Sequence, residues 1–255
     1  MSTEPGATDS WRATAVLIAA VLQIAAGVVG GAGLWGESVG TVANSYPTLL
    51  LPAGTAFMIW SLIYVAFAAL AVRQLLPAQR HRRVHRAVGW WLAAAGLLNA
   101  AWVALFAHRM IAAAQPVIIA LLVCLGVAAL RLRTPADGWG DRLLLHLPVT
   151  VYLGWVTVAT VAGAATTTAS FGAAPSTVGA VTALVLTGLA AAVAVVRLPA
   201  VIGFAAAVCW ALTWIAVRTP TASVQVVALV AVAAVACAVA LRLRQRRDRS
   251  TVAWG

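Results

Sequence analysis

Pro52-Ala-Gly-Thr-Ala-Phe57-Met-Ile-Trp60-Ser-Leu-Ile-Tyr64 sits inside a long apolar segment that the sequence assigns to a membrane helix over 48–72. On a helix Phe57, Trp60 and Tyr64 fall at i, i+3 and i+7, which puts three aromatic rings on one face. Trp and Tyr in membrane helices usually occupy the water interfaces, yet Trp60 lies well inside the segment. Lipid tails offer no acceptor for an indole N–H, so this ring is expected to turn inward, towards a pocket between helices.

Composition sets the class. Of 255 residues, 63% are hydrophobic and 9% charged, and the mean hydropathy of +0.98 lies far outside that of a soluble domain. The expected fold class is all-α, a polytopic transmembrane helical bundle. Eight spans are expected, at 13–34, 48–72, 88–107, 111–130, 143–164, 176–196, 199–217 and 222–241, each near the ~20 residues that cross ~30 Å of hydrocarbon. The first is read as an uncleaved helix, because it is longer than a signal-peptide core and ends in Gly33-Leu-Trp-Gly-Glu37 without a small-residue cleavage site.

The basic residues are all Arg. With the N-terminus in the cytoplasm, Arg12, Arg73, Arg80, Arg82, Arg83, Arg86, Arg131, Arg133, Arg142, Arg197, Arg242, Arg244, Arg246, Arg247 and Arg249 fall inside; Arg109 and Arg218 alone fall outside. One span more or fewer would scramble that asymmetry, so it supports a multi-pass protein of the cell membrane, bacterial inner or plasma, with both termini cytoplasmic. Topology and anionic lipid headgroups at the cytoplasmic face account for the net charge of +11; nucleic acid is not an expected partner. Arg80-His-Arg-Arg-Val-His-Arg86 spaces His81 and His85 as helical metal ligands. The neighbouring Arg oppose a cation, so solvated or lipid-facing charge is expected there, and no metal. Cys124, Cys209 and Cys237 fall inside spans without a Cys-x-x-Cys pair and read as packing residues.

Two further segments repeat the stripe. Leu98-Asn99-Ala-Ala-Trp102-Val-Ala-Leu-Phe106 places Asn99, Trp102 and Phe106 at i, i+3 and i+7, and Tyr152-Leu-Gly-Trp155-Val-Thr-Val-Ala159 does the same. An Asn this deep must face the bundle and bond a helix or a ligand. Any one Trp could simply fill the core. Three stripes at one depth favour a shared cavity. In the first span, Gly27 and Gly31 form a Gly-xxx-Gly pair that lets another helix approach.

Taken together, the three segments resemble the TspO/MBR family, the tryptophan-rich sensory or translocator proteins. The matching features are Trp60-x-x-x-Tyr64 after Pro52-x-Gly54, Leu98-Asn99-x-x-Trp102-x-x-x-Phe106, and Tyr152-Leu-x-Trp155-Val-Thr-x-Ala159, in the second, third and fifth spans. The resemblance implies a five-helix domain over 13–170 whose cavity takes a planar hydrophobic ligand: a porphyrin, a haem-type tetrapyrrole or a sterol. It requires no cofactor. Phe57, Trp60, Tyr64, Asn99, Trp102, Tyr152, Trp155 and Ala159 become the candidate ligand-binding residues. Around that domain are expected a cytoplasmic tail over 1–12, three additional helices over 171–241 and a basic cytoplasmic tail over 242–255. The outer loop Val39-Gly-Thr-Val-Ala-Asn-Ser-Tyr-Pro47 departs from the family's aromatic, Lys-Pro-rich loop, and Ala162-Gly163 replaces a Leu-Asn pair. Trp210 and Trp214, one helical turn apart, either extend the pocket or pack.

Function is therefore expected to be ligand sensing, with passage of a small hydrophobic molecule as the alternative. All six acids fall in expected loops or tails, which leaves no buried acid for proton coupling. The chain is not read as an enzyme, since no nucleophile–base pair, metal cluster or phosphate loop is visible. Expected partners are the ligand, anionic headgroups and, as an open alternative to the monomer, a second copy in a homodimer.

Overall fold

Backbone amides in hydrocarbon must be satisfied within their own segment, and the chain answers with helices. The computed structural model describes residues 5–245 and 248–255, so expectations for Glu4, Arg246 and Arg247 lie outside the described residues. The long helices are α1 (Pro5–Ala32), α2 (Ile59–Leu75), α3 (Arg83–Ala107), α4 (Ile111–Arg131), α5 (Leu147–Ser170), α6 (Thr177–Arg197), α7 (Ile202–Arg218) and α8 (Ala222–Gln245). Among the described residues, seven helical segments are long and apolar enough to cross a membrane. The exception is α7, whose 17 residues extend about 25 Å against a hydrocarbon core of ~30 Å. Its ends are set by Pro199 and Pro220, because the residue before each, Leu198 and Thr219, is held extended.

Three boundaries differ from the sequence reading. The first helix starts at Pro5, so Asp9 and Arg12 are helical and buried instead of lying in a loose tail. It stops where Gly33 turns left-handed at φ +68°, an ordinary C-terminal glycine. The second span starts late: residues 48–53 are not helical, and a 3-10 turn over Gly54–Met58 precedes α2. Pro52 has no N–H for a ladder and biases Leu51 to extended backbone, which keeps the helix from forming earlier. Ahead of α5, a π-helical turn over Arg142–His146 turns Leu145 and His146 inward. The chain end is packed too: a short helix over Arg249–Trp254 folds back, with Val201 N–H donating to the Val252 carbonyl at 3.2 Å and Trp254 on Trp139 at 6.3 Å.

The first five helices close a ring. α3 packs along α1 and α4, α4 along α5, α1 along α2, and α2 touches α5 only lightly. That loose closure leaves space between α2, α3 and α5. The last three attach through α7, which lies along α5; α8 packs on α7, and α6 on α8. Gly154 of α5 makes the α5–α7 seam close, since a Cβ there would stand 2.4 Å from the Phe204 carbonyl oxygen.

One end of the ring is ionic. Asp9 accepts from Arg12 at 2.5 Å and from Arg86 at 2.5 Å, and meets His81 at 2.9 Å. Asp141 accepts from Arg73 at 2.5 Å and from Arg82 at 2.6 and 2.7 Å. The hydrogen bond that Arg82 donates to Asp141 raises the Arg82 pKa further. This corrects two expectations. Asp9 and Asp141 are buried acids, and Arg82 and Arg86 of the 80–86 segment are paired, because these carboxylates, distant in sequence, fold onto them. His85 is likewise fully buried instead of solvated.

Candidate functional site

Trp60 is the hub of the aromatic side chains. Its ring centroid lies 5.6 Å from Tyr64 and 6.0 Å from Trp102, both near parallel, and 5.9 Å from Tyr152 and 6.0 Å from Trp155, both edge-on. Phe57 meets Trp155 edge-on at 5.9 Å, and Phe106 meets Trp102 at 5.1 Å. All lie in the ~4.5–7 Å range in which ring quadrupoles attract. The stripes of α2, α3 and α5 thus meet around one indole. Phe57 belongs to the 3-10 turn, so it is the turn, not helical periodicity, that aims it at Trp155. Gly27 of α1 admits the Tyr64 ring, as a Cβ there would come within 2.3 Å of it.

Two hollows flank this hub. A cavity of about 480 Å³ opens between α1, α2 and the short helix Val39–Asn44, with Phe57, Trp60, Tyr64 and Trp102 on its wall. On the far side of Trp60 and Trp102, a slit of about 40 Å³ is lined by Trp155, Ala159, Phe106 and Ala211. The larger volume lies in the ~300–1,000 Å³ range of small-molecule sites. Asn99 and Tyr152, both 0% exposed, line neither; they stand behind Tyr64 and Trp60. No histidine lines either hollow.

Behind the rings lies a polar layer that the sequence reading missed in part. Asn99 Nδ2 donates to the Tyr64 hydroxyl at 3.3 Å, and the Tyr152 hydroxyl donates to Gln23 Oε1 at 3.1 Å. Gln23 Nε2, Asn99 Oδ1 and Trp155 Nε1 are buried and take no hydrogen-bond partner among the described residues. Gln23 could have been found, as the one amide in the apolar run over 15–32 and one helical turn from Gly27. The contribution of α7 was legible only as an open alternative, Trp210 and Trp214 either extending the pocket or packing, with nothing to link them to residues 53–56. Trp210 Nε1 donates to the Ala56 carbonyl at 3.0 Å, and Ala53 N–H donates to the Trp214 carbonyl at 3.1 Å, which fastens the segment carrying Phe57.

The loop between α1 and α2 roofs the larger cavity and is held by Arg109 and Arg218. Arg109 donates to Glu37 at 2.5 and 2.8 Å and to the Ser45 hydroxyl at 3.0 Å, while Arg218 donates to Asn44 Oδ1 at 2.7 Å. The Arg109 hydrogen bond lowers the Glu37 pKa, and the same bond raises that of Arg109. Among the described residues no group of three or more His, Cys, Asp or Glu converges as a metal site.

A family model described as TSPO-like protein matches residues 12–243, which takes in the last three helices as well as the first five. No curated protein and no solved structure matches. With aromatic stripes from three membrane helices gathered on Trp60, and that match spanning nearly the whole length, the chain belongs to the family of TSPO-like proteins.

Proposed function

We propose that this multi-pass membrane protein binds a planar hydrophobic ligand, of the porphyrin, haem-type tetrapyrrole or sterol-like kind, against the Trp60 face of the larger cavity. It acts as a sensor by binding and not by catalysis. The observation that carries the reading is a single indole in contact with four other aromatic rings beside a hollow of about 480 Å³. Flat π-faces suit stacking on a macrocycle. The unpartnered Gln23 Nε2, Asn99 Oδ1 and Trp155 Nε1 favour a guest that brings polar groups of its own. The Arg-rich end, where both described termini lie, is read as cytoplasmic.

Titration of purified protein with protoporphyrin IX tests it: intrinsic Trp fluorescence is quenched at micromolar ligand, and the quenching weakens in Trp60→Ala. Absence of quenching in the parent protein overturns the reading.

Facilitated passage of the ligand is the second reading, favoured by the thin α2–α5 closure of the ring. Proton coupling gains nothing from the buried acids, since Asp9 and Asp141 are each neutralised by guanidinium groups.

A further inference from the structure

On the lipid-facing side of the bundle, α4 and α6 stand apart and α5 floors the gap. The resulting groove of about 270 Å³ is walled by Leu122 and Leu130 of α4 and Ala190 and Ala194 of α6, and floored by Leu153 and Phe204. Small side chains keep it open: at Gly126, midway between Leu122 and Leu130, even an added Cβ would meet nothing within 4 Å. The nine-residue runs from Leu122 to Leu130 and from Ala190 to Leu198, eight steps of helical rise each, give a trough about 12 Å long. It ends at the Arg-rich face on Arg197, the last residue of α6.

Arg197 differs from the paired arginines of that face, and of the exposed ones without a partner among the described residues (Arg83, Arg197, Arg244 and Arg249) it is the one that lines this groove. Arg73, Arg82 and Arg86 bond to carboxylates, and Arg242 donates to the Val195 carbonyl. Arg197 is exposed and takes no hydrogen-bond or ion-pair partner among the described residues. Arg133, just past the end of α4, is also exposed and bonds only the carbonyl of Leu130, a residue of the groove wall, at 3.3 Å. A dry trough at hydrocarbon depth with an unpaired cation at its rim matches one chemistry: an acyl chain joined to an anionic headgroup. We propose that this groove binds an anionic phospholipid, which seats one acyl chain between α4 and α6 and sets its phosphate on the Arg197 guanidinium.

A second lateral groove supplies the contrast. It lies between Met58, Ile59 and Leu62 of the α2 side and Ala206, Ala207 and Trp210 of α7, measures about 320 Å³, and has no charged residue in its wall. It can take a lipid tail but has nothing to select a headgroup. The α4–α6 site rests on reading the Arg-rich end as cytoplasmic, where anionic lipids concentrate, and does not depend on the ligand of the Trp60 cavity.

Native mass spectrometry of the delipidated full-length protein, offered phosphatidylglycerol or phosphatidylcholine in detergent, tests the site. The parent protein retains phosphatidylglycerol over phosphatidylcholine by about fivefold, the effect of one arginine near a phosphate. Arg197→Gln removes that preference at unchanged melting temperature. Ala190→Phe, which fills the trough from an exposed position, lowers retention of both lipids. Equal retention by the parent protein overturns the proposal, as does a preference that survives Arg197→Gln. Competition by glycerol 3-phosphate as effective as that by intact lipid overturns it too, because the acyl chain would then contribute nothing. Binding in detergent is read without regard to sidedness, so it fails or succeeds independently of the orientation. Protoporphyrin quenching in Arg197→Gln stays at the parent level, which separates this site from the Trp60 cavity.

Discussion

Both ends of the five-helix ring carry arginines, and they use them differently. At the Arg-rich end, Asp9 and Asp141 are buried and each gathers two guanidinium groups from other turns or helices, which ties α1 to α3, and the segment leading into α5 to α2 and the start of α3. At the opposite end, Arg109 and Arg218 reach exposed partners on one loop, and beneath that loop the bundle is hollow. The lesson is a division of labour along the membrane normal. Buried charge pairs are costly to break and hold the helices in register, whereas exposed pairs contribute little and let a roof move.

Removing a buried carboxylate of the Arg-rich end tests the comparison hardest. Asp141→Asn leaves Arg73 and Arg82 facing a neutral amide at a position only 1% exposed, and is expected to cost about 3 kcal/mol of stability. Thermal unfolding in detergent should show a clearly lower midpoint, with ligand affinity of the folded fraction retained. An unchanged midpoint would break the contrast between the two ends.

Trp60→Ala should do the reverse. The hub ring contacts four others, and its loss is expected to weaken protoporphyrin binding by about 30-fold, the ~2 kcal/mol of an aromatic anchor. Titration by absorbance, which does not rely on the deleted fluorophore, checks it.

Trp210→Phe sharpens the role of α7. It keeps a ring but deletes the N–H that bonds the Ala56 carbonyl, a loss of about 1 kcal/mol and hence roughly fivefold in affinity if the Phe57 turn loosens. Trp210→His, which restores a ring N–H, should recover part of it, whereas a purely packing role would leave affinity at parent level in both variants.

The smallest effect belongs to the exposed Arg109–Glu37 ion pair. Because Arg109 holds the Glu37 pKa below its ordinary 4.5, the pair is intact above that value and is lost as pH falls through the lowered one. Ligand dissociation, followed by stopped-flow fluorescence, should be flat from neutral pH down to that point and faster below it. Glu37→Gln should show the faster rate throughout.

Much of the fold was legible because its signal is local. Long apolar runs bounded by Arg, Pro and Gly located seven spanning segments, and the α4 span expected over 111–130 falls on a helix over Ile111–Arg131. The misplacements have local causes as well: Pro52 delayed α2, and Pro199 shortened α7. At the site, the spacing of Trp60, Asn99 and Trp155 pointed inward, and the structure gathers Phe57, Trp60, Tyr64, Trp102, Tyr152 and Trp155 while setting Asn99 and Tyr152 behind the cavity wall. Gln23 was overlooked because one amide in an apolar helix has no partner visible in its own segment. The 53–56 segment and α7 were not linked because their contacts, Ala56 with Trp210 and Ala53 with Trp214, join residues more than 150 positions apart.

By itself, the sequence determined an all-helical membrane protein, the depth of its aromatic residues and the two-ended segregation of its arginines, since hydropathy and helical period act within a segment. Only the tertiary structure decided that Asp9 and Asp141 would neutralise those arginines, that α7 would fasten the pocket's lip, and that a groove would remain between α4 and α6. Those outcomes depend on which helix lies against which, and in a lipid solvent that choice is made by close packing and long-range hydrogen bonds, not by the hydrophobic pattern that all the helices share.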